Sequence, residues 1–444
     1  MRWDKFEQYV ESIMSEEPIV GLGVAVAKHG QELFCRGFGV ADIETKAPIN
    51  KDTVFGTASV TKSFTALAVM RLVEQGRLSL DAPVNMYLPK FKLPGVRDIT
   101  TIKLRHLLTH STGLPPMRRR QELTTFDEHL DFLGNETVPL LGVPGEYVSY
   151  CNDTFLLLGA IIEAVTGTGF RQHITQVILE PLQMQRSTLD DKVLETLGNL
   201  STPYMYHGDS KRHSAEAWPK LNNYVVGGGV RSCLSDLMKY GEAYIGLRYI
   251  AGPLATRAMY SQGLSVGKNT SYGFGLRYTP AHGGVTVVEH GGGQVGVSSH
   301  FGFVPEAGLV VAVLANVTNV SAARIWLAAL NTALGLPLEF STTEELPHCF
   351  VGHLSAYVGT YTSAEGGKVT VMESGDKLTV ETEGMRHELT YAGGSTFFFR
   401  YRGQRVLRFF LDSTGEAWAV LLGLRMLRRE AMGTVPYASQ CQPQ

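Results

Sequence analysis

Hydrophobic residues recur at helical spacing in some stretches of the chain and alternate with polar residues in others. Helical spacing extends to about Glu17, from Thr53 to Gly76, and through "AARIWLAALNTALG" after residue 320. "GLGVAVAKHGQELFCRGFGVAD" predicts two strands around a turn at His29-Gly30. "GVTVVEH", "VSSHFGFVP" and "GLVVAVLANV" predict further strands from residue 284 onward, and short helices joined by turns are predicted between about 80 and 250.

The pattern changes after "LPLEFSTTEELPH" at 336–348, which is interpreted as a linker. Beyond it, short strands alternate with evenly spaced glycine turns, at Ser374-Gly375-Asp376, Glu383-Gly384, Gly393-Gly394, Arg402-Gly403 and Thr414-Gly415. Such spacing is typical of an antiparallel sheet or a small barrel. The predicted organisation is a main domain over 1–336, a linker over 337–348, an antiparallel β domain over 349–435 and a tail over 436–444.

Composition and charge exclude several classes of protein. The 444 residues are 44% hydrophobic and 18% charged, as in a folded globular protein, and the formal net charge of −2 gives no reason to expect a nucleic-acid partner. The cysteines are scattered and odd in number, without a C-x-x-C pair, which argues against a disulfide framework or a zinc knuckle; they are Cys35, Cys151, Cys233, Cys349 and Cys441. The charged N-terminus and the lack of an 18-residue apolar run predict a cytoplasmic protein without a membrane partner.

A serine and a lysine three residues apart stand at the start of the helix predicted after Thr53. The S-x-x-K string occurs three times, as Ser59/Lys62, Ser265/Lys268 and Ser374/Lys377. Only Ser59 begins a long apolar helix, since the second string is predicted to lie in a loop and the third in a hairpin turn. Residues i and i+3 share one helix face, so the Lys62 amine can approach the Ser59 hydroxyl. Ser59 is therefore either a helix N-cap or a nucleophile assisted by a buried lysine.

Two further strings suggest chemistry at the same site. Tyr150-Cys151-Asn152 is the only Tyr-x-Asn among 18 tyrosines. A tyrosine near a lysine can relay protons, although a lone Tyr150 is more often a core aromatic residue. His290 precedes Gly291-Gly292-Gly293 where a strand is predicted to enter a glycine-rich turn, whereas the His-x-Gly strings at His282 and His300 lack that context. Glycines would let backbone N–H groups approach a reacting carbonyl.

In that order, Ser59-x-x-Lys62, Tyr150-x-Asn152 and His290-x-Gly292 resemble the three motifs of serine β-lactamases and penicillin-binding-protein-like hydrolases. The similarity is greatest to the class C-like branch, which includes serine peptidases and esterases of the S12 type, and it extends over about residues 5–335. It implies an α/β fold: an antiparallel sheet flanked by helices, beside an all-helical region. The segment from about 349 resembles the lipocalin-like β domain of some members; oligomerisation, shaping of the cleft and a structural role all stay open for it.

A metal site at His106 and His110, spaced i and i+4, is the competing interpretation. Leu107 follows His106 where the H-E-x-x-H pattern needs glutamate, so that pattern fails. "RHLLTHSTGLP" instead resembles a structural turn of the hydrolase family. The resemblance requires neither a metal nor an organic cofactor.

The resemblance also implies the role of each site residue. Lys62, together with Tyr150, would take the proton of Ser59 as its oxygen attacks an amide or ester carbonyl, and the N–H groups of Ser59 and Gly293 would bind the oxyanion. Asn152, Gly292 and Gly293 would bind the substrate, with Asn152 positioning its acyl side, and His290 would tune the tyrosine or contact substrate. The chain lacks the E-x-x-L-N string of class A β-lactamases, so deacylation would depend on Tyr150 and Lys62.

The substrate is the least determined feature. The first hypothesis is a peptidase or amidase for short peptides that contain D-amino acids. A promiscuous carboxylesterase or β-lactamase is the alternative, and a non-catalytic penicillin-binding or assembly protein is the rival from another class. A small-molecule or short-peptide substrate and a homo-oligomeric state are compatible with all three.

Overall fold

The computed structural model describes residues 3–350 and 352–430, which form two compact units. The first unit contains most residues up to Glu344. The second contains the described residues from Glu345 onward together with two short segments, Leu114–Arg118 and Ser149–Cys151. Cys441, residues 431–435 of the predicted β domain and the predicted tail 436–444 lie outside the described residues. The domain limits drawn from the sequence stay a prediction.

An antiparallel sheet is the framework of the first unit, with strand order β2-β1-β12-β11-β10-β9-β8-β7. Its strands are β1 (Gly21–Lys28), β2 (Gln31–Gly39), β7 (Leu264–Gly267), β8 (Thr270–Tyr272), β9 (Arg277–His282), β10 (Val285–Gln294), β11 (Val297–Val304) and β12 (Leu309–Ala315). β11 and β12 are buried at every position, because helices cover both faces of the sheet centre. Two-residue and four-residue strand pairs lie outside this sheet, namely β3 (Phe55–Gly56) with β6 (Arg231–Ser232) and β4 (Tyr204–His207) with β5 (Arg212–Ala215).

The helices lie on both sides of the sheet and in a region beside it. They are α1 (Trp3–Glu16), α2 (Thr61–Glu74), α3 (Val84–Tyr87), α4 (Leu104–Leu108), α5 (Phe126–Asn135), α6 (Asn152–Thr166), α7 (Phe170–Ile174), α8 (Asp191–Leu197), α9 (Val225–Gly228), α10 (Leu234–Glu242), α11 (Pro253–Ala258) and α12 (Ala322–Leu334). α1 and α12 pack with the sheet in one apolar cluster that includes Phe6, Val24, Val313 and Trp326. In the described chain no single helix meets the length and hydropathy of a membrane span, although α6 and Phe170–Leu179, bent by 82°, do so as a pair.

The second unit contains a closed antiparallel barrel in which the first strand pairs with the last. Its strands are β13 (Gly359–Thr362), β14 (Lys368–Ser374), β15 (Lys377–Thr382), β16 (Met385–Gly393), β17 (Thr396–Arg400), β18 (Gln404–Leu411), β19 (Ala417–Leu422) and β20 (Arg425–Arg429). Aromatic and aliphatic side chains pack together in its core, among them Tyr361, Phe397 and Phe409. The predicted α/β fold with a small all-β barrel is confirmed.

Most predicted elements are present, but two local predictions are wrong. Ser265 was expected in a loop and lies in β7, because "LSVG" pairs with β8 although four residues are too few to show a strand pattern. Gly291-Gly292-Gly293 was expected to be a turn, whereas all three glycines belong to β10 and pair with β11. The actual turn follows at Val295-Gly296, where Gly296 has a φ of +69°.

Residues 338–344 of the predicted linker hydrogen-bond to the first unit. Asn331, fully buried on α12, donates its amide to the carbonyls of Leu338 and Phe340 at 3.0 and 2.9 Å, and its Oδ1 lies 2.9 Å from His282 Nε2. Lys268 donates to the Glu344 carbonyl at 2.7 Å. This part of the chain is therefore fixed in place by side chains of the first unit.

We expect Asn331→Ala to lower the free energy of unfolding by about 2–4 kcal/mol, because two carbonyls and a histidine nitrogen lose their buried partner together. Urea unfolding followed by circular dichroism measures the change. Asn135→Ala is the matched control: its amide donates to the Asp131 carbonyl on the surface, so a change within about 1 kcal/mol is expected. Equal losses in the two variants would contradict this account of residues 338–344.

Candidate active site

Ser59 lies in a 3-10 turn, Ala58–Val60, that leads directly into α2. The turn begins in strained backbone, since Ala58 has a φ of +45°, in the left-handed region that non-glycine residues rarely adopt. Thr57, which precedes the turn, holds it in place by two hydrogen bonds. Its hydroxyl donates to the Val230 carbonyl at 2.9 Å, and its carbonyl accepts from the Ser299 hydroxyl at 2.7 Å. The backbone next to the half-buried Ser59 side chain is therefore held by Val230 and by Ser299.

Lys62 is fully buried, as its sequence context predicted. Its Nζ lies 3.3 Å from Ser59 Oγ, 2.9 Å from Asn152 Oδ1 and 2.9 Å from the Gly227 carbonyl oxygen. A buried ammonium is tolerated only when oxygen atoms replace its water. The three oxygens come from the start of α2, the start of α6 and α9, so the amine position is set by three separate elements.

Gly227 was not identified from the sequence, yet its carbonyl oxygen lies 2.9 Å from Lys62 Nζ. A Cβ added at Gly227 would lie 2.8 Å from Lys62 Nζ, so any side chain here would displace the amine. α9 is tied to α2 by the Thr65 hydroxyl, which donates to the Val226 carbonyl at 2.7 Å. The run Gly227-Gly228-Gly229 is the one sequence signal that could have indicated close packing at this point.

The glycines of β10 allow the strand to pass directly beside the Ser59 backbone. A Cβ at Gly292 would lie 2.4 Å from the Thr57 carbonyl oxygen, 2.3 Å from Ser299 Oγ and 3.0 Å from the Ser59 nitrogen. Gly293 is different, because a Cβ there would meet nothing within 4 Å and the residue is exposed. Gly292 is therefore required by close packing, while Gly293 faces open space beside it.

His290 is buried and lies on the same strand, with defined partners for both ring nitrogens. Nδ1 is 2.6 Å from the Gly291 carbonyl, which can only accept, so Nδ1 holds the proton. Nε2 lies 3.0 Å from the Tyr272 hydroxyl. Burial and, second, the charge of Lys62 lower the pKa of His290 to about 3, so the ring is neutral at physiological pH and Nε2 accepts from the tyrosine.

Tyr150, the remaining predicted catalytic residue, belongs to the second unit. Its backbone N–H donates to the Leu424 carbonyl at 2.7 Å, and the Arg425 guanidinium lies 5.0 Å from the centre of its ring. Asn152 begins α6 in the first unit, where its Oδ1 accepts from Lys62. The proton-relay role of Tyr150 and the substrate-binding role of Asn152 stay predictions.

The alternative motifs have structural partners of their own. Lys268 and Ser265 lie at the β7–β8 hairpin, where the lysine reaches the Glu344 carbonyl. Ser374 and Lys377 flank a barrel hairpin, as predicted, and Lys377 forms a surface ion pair with Glu388 at 2.6 Å. His106 accepts the Lys103 backbone N–H at the start of α4, and burial lowers its pKa to about 4. These contacts are separate from the three oxygen contacts of the Lys62 amine.

Comparisons with known proteins agree with the geometry. The β-lactamase family model matches residues 6–334. The chain is similar to penicillin-binding protein 4* of Bacillus subtilis (strain 168), with 28% identity over 401 residues that cover 85% of this chain and 87% of the relative. Esterase EstB of Burkholderia gladioli is 33% identical over 197 residues, which span 41% of this chain and only 50% of the esterase.

A solved structure is similar over both units. The octameric penicillin-binding protein homologue from Pyrococcus abyssi matches 96% of this chain and 100% of its own, with 27% identity and a TM-score of 0.72. The similarity therefore includes the barrel as well as the sheet and helices around Ser59.

We expect Gly292→Ala to lower the rate of reaction at Ser59 by about 10²-fold, because the new methyl group would collide with the Thr57 carbonyl and Ser299 Oγ and so displace the turn that carries Ser59. Gly267→Ala, in β7 of the same sheet, is the matched control, since a Cβ there meets nothing within 4 Å. Labelling rates with a fluorophosphonate, followed by intact mass spectrometry, measure both. Wild-type labelling of a folded Gly292→Ala protein would show that the close approach is not needed.

Proposed function

The chain belongs to the β-lactamase family of serine hydrolases, and we propose that it cleaves amide or ester bonds through a covalent acyl-enzyme on Ser59. The observation that supports this most directly is the buried Lys62 amine, 3.3 Å from the Ser59 hydroxyl and held by two further oxygens. A helix cap needs no such amine. The arrangement matches the pairing of a weak nucleophile with a group that can accept its proton.

The two other oxygens give the amine a direction. In the ammonium form, three N–H groups point at Ser59, Asn152 and Gly227. Loss of the proton directed at Ser59 leaves the other two N–H groups bound to the amide and carbonyl oxygens. The lone pair then faces Ser59 Oγ. Lys62 is thereby prepared to receive the serine proton as the oxygen attacks a substrate carbonyl.

Charge that develops on the carbonyl oxygen would be stabilised by the backbone N–H groups of Ser59 and Gly293. Ser59 lies in the 3-10 turn that leads into α2, and the N–H groups at the start of a helix favour negative charge. Gly293 is exposed next to Gly292, which packs on the Ser59 nitrogen. The two donors would form an oxyanion hole on rigid elements, as acyl transfer requires.

Tyr150 would protonate the leaving group and later help Lys62 to activate water, while Asn152 would orient the acyl side. His290, neutral and bonded to Tyr272, would act through position and polarity and would not act as an acid at neutral pH. The acyl-enzyme forms when Ser59 Oγ bonds to the carbonyl carbon and the leaving amine or alcohol departs with a proton. Water then replaces the serine and releases the acid.

A peptide or amide containing a D-amino acid is the proposed substrate class. Two similar proteins are named for penicillin binding, namely penicillin-binding protein 4* and the Pyrococcus abyssi homologue. Their names support recognition of acyl groups related to penicillin. Similarity to esterase EstB supports a small ester as the second candidate. The octameric homologue supports a homo-oligomer as the assembled state.

We expect Ser59→Ala to fold normally and to lose essentially all covalent labelling by a fluorophosphonate. Ser265→Ala and Ser374→Ala, which remove the serines of the two other S-x-x-K strings, should label like the wild type. Intact mass spectrometry identifies the adduct and its stoichiometry. Labelling that persists in Ser59→Ala would reject this serine as the nucleophile.

The same preparations separate turnover from binding. Multiple turnovers are expected on a D-residue amide or a small ester, with weak or no turnover of penicillins, because the class A glutamate string is absent. A burst of one product per Ser59 with no steady rate on every ester and amide would indicate a penicillin-binding sensor. Fast penicillin hydrolysis would indicate a β-lactamase.

Lys62→Ala and Tyr150→Phe should each lower turnover by at least roughly 10²-fold, the low end for acid–base groups. The double variant should lose far less than the product of the single losses, since the two residues would act as one unit. Steady-state kinetics on the best substrate measures all three. Turnover near that of the wild type in either single variant would contradict the shared-proton mechanism.

A further inference from the structure

A second buried network lies directly behind the oxygens that hold Lys62. Its centre is Asp153, a fully buried carboxylate in the first turn of α6, next to Asn152. The Tyr224 hydroxyl donates to Asp153 Oδ1 at 2.8 Å, and His129 Nε2 on α5 lies 3.4 Å from the same oxygen. All three residues are at least nine-tenths buried. The mechanism at Ser59 assigns no role to any of them.

The network joins the two segments that present oxygen atoms to the lysine. Asp153 follows Asn152, whose Oδ1 accepts from Lys62, and Tyr224 immediately precedes α9, which contains Gly227. The Asp153–Tyr224 hydrogen bond therefore connects the start of α6 to the start of α9. The two acceptors come from different parts of the chain, so their separation depends on what links these helices.

Further contacts make the link rigid. The Tyr224 hydroxyl also accepts the Arg120 backbone N–H at 2.8 Å, and the neighbouring Asn223 amide donates to the Thr125 carbonyl at 2.7 Å. Burial and the Asp153 charge raise the pKa of Tyr224 well above its usual range, so the hydroxyl stays a donor. Burial lowers the pKa of His129 to about 4, which leaves its ring neutral beside the carboxylate at pH 7.

We infer that Asp153 and Tyr224 are positioning residues for Lys62: their hydrogen bond sets the spacing of Asn152 Oδ1 and the Gly227 carbonyl, and thus the direction in which the amine faces Ser59. This inference rests on the proposed function. Without the link the amine keeps its partners in a looser geometry, and proton transfer from Ser59 slows. Asp153 would act on the position of the Lys62 amine and not on the substrate, so KM should change little.

The test compares kcat and KM for the full chain and four variants on the best ester or amide. Asp153→Ala and Tyr224→Phe should each lower kcat by at least about 10-fold with KM changed by less than about 3-fold. Asp153→Asn retains an oxygen that accepts from Tyr224 and should recover kcat to within about 3-fold of the wild type. The variant Asp153→Ala/Tyr224→Phe should lose no more than either single variant.

Asp236→Ala is the matched control for loss of a buried carboxylate. Asp236 is as deeply buried, but it accepts from the Ser187 hydroxyl, the Arg186 backbone N–H and the Lys239 amine, and none of these donors lies in α6 or α9. It should lower the melting temperature while kcat per folded molecule stays close to that of the wild type. Tyr224→Phe removes a single atom, so it decides the matter if Asp153→Ala does not fold.

If the wild type is active, an unchanged kcat in Tyr224→Phe would overturn the inference alone. A loss of kcat that Asp236→Ala reproduces would do the same. A wild type with no turnover on any ester or amide would overturn the proposed function and the inference with it.

Discussion

A buried ammonium must be surrounded by oxygen, and the first unit satisfies that demand at Lys62. Water cannot solvate an amine with no exposed surface, so the chain supplies a hydroxyl, an amide oxygen and a backbone carbonyl. Each belongs to a different element. The folding of α2, α6 and α9 against one another and the construction of the site are therefore the same event, because misplacing any one helix would leave a buried charge unsatisfied.

Backbone geometry does as much as side chains at this site. Ala58 has a left-handed φ in the turn that places Ser59 before α2. Gly292 has no side chain, and this allows β10 to pass close to the Ser59 nitrogen. Strain of this kind persists only where surrounding contacts determine it. Here the Thr57 bonds to Val230 and Ser299 supply those contacts.

Side-chain burial and backbone conformation differ in how far they could be predicted from the sequence. The burial of Lys62 was predictable, since its neighbours Phe64 and Leu67 are apolar, and the long strands were predictable from their alternating or continuous apolar residues. The strand state of Gly291–Gly293 was not, because glycines have no periodicity and their conformation is imposed by pairing with β11. The Gly227 carbonyl was also missed, since a backbone oxygen has no signature of its own. β7 and β8 were not predicted because strands of four and three residues are too short to show a periodicity and depend on pairing with their neighbours.

The closed barrel of the second unit limits how that unit can associate. With β13 paired to β20, every strand of the described barrel has two neighbouring strands, so the barrel has no edge strand. Another chain cannot extend the barrel by adding a strand. Contacts between the barrel and a second copy would then depend mainly on surface side chains, and charged ones such as Lys377 and Glu388, which pair with each other within the barrel, lie on that surface. Such contacts change with single substitutions and with salt, so relatives that share the barrel can differ in their assemblies without any change in the barrel itself.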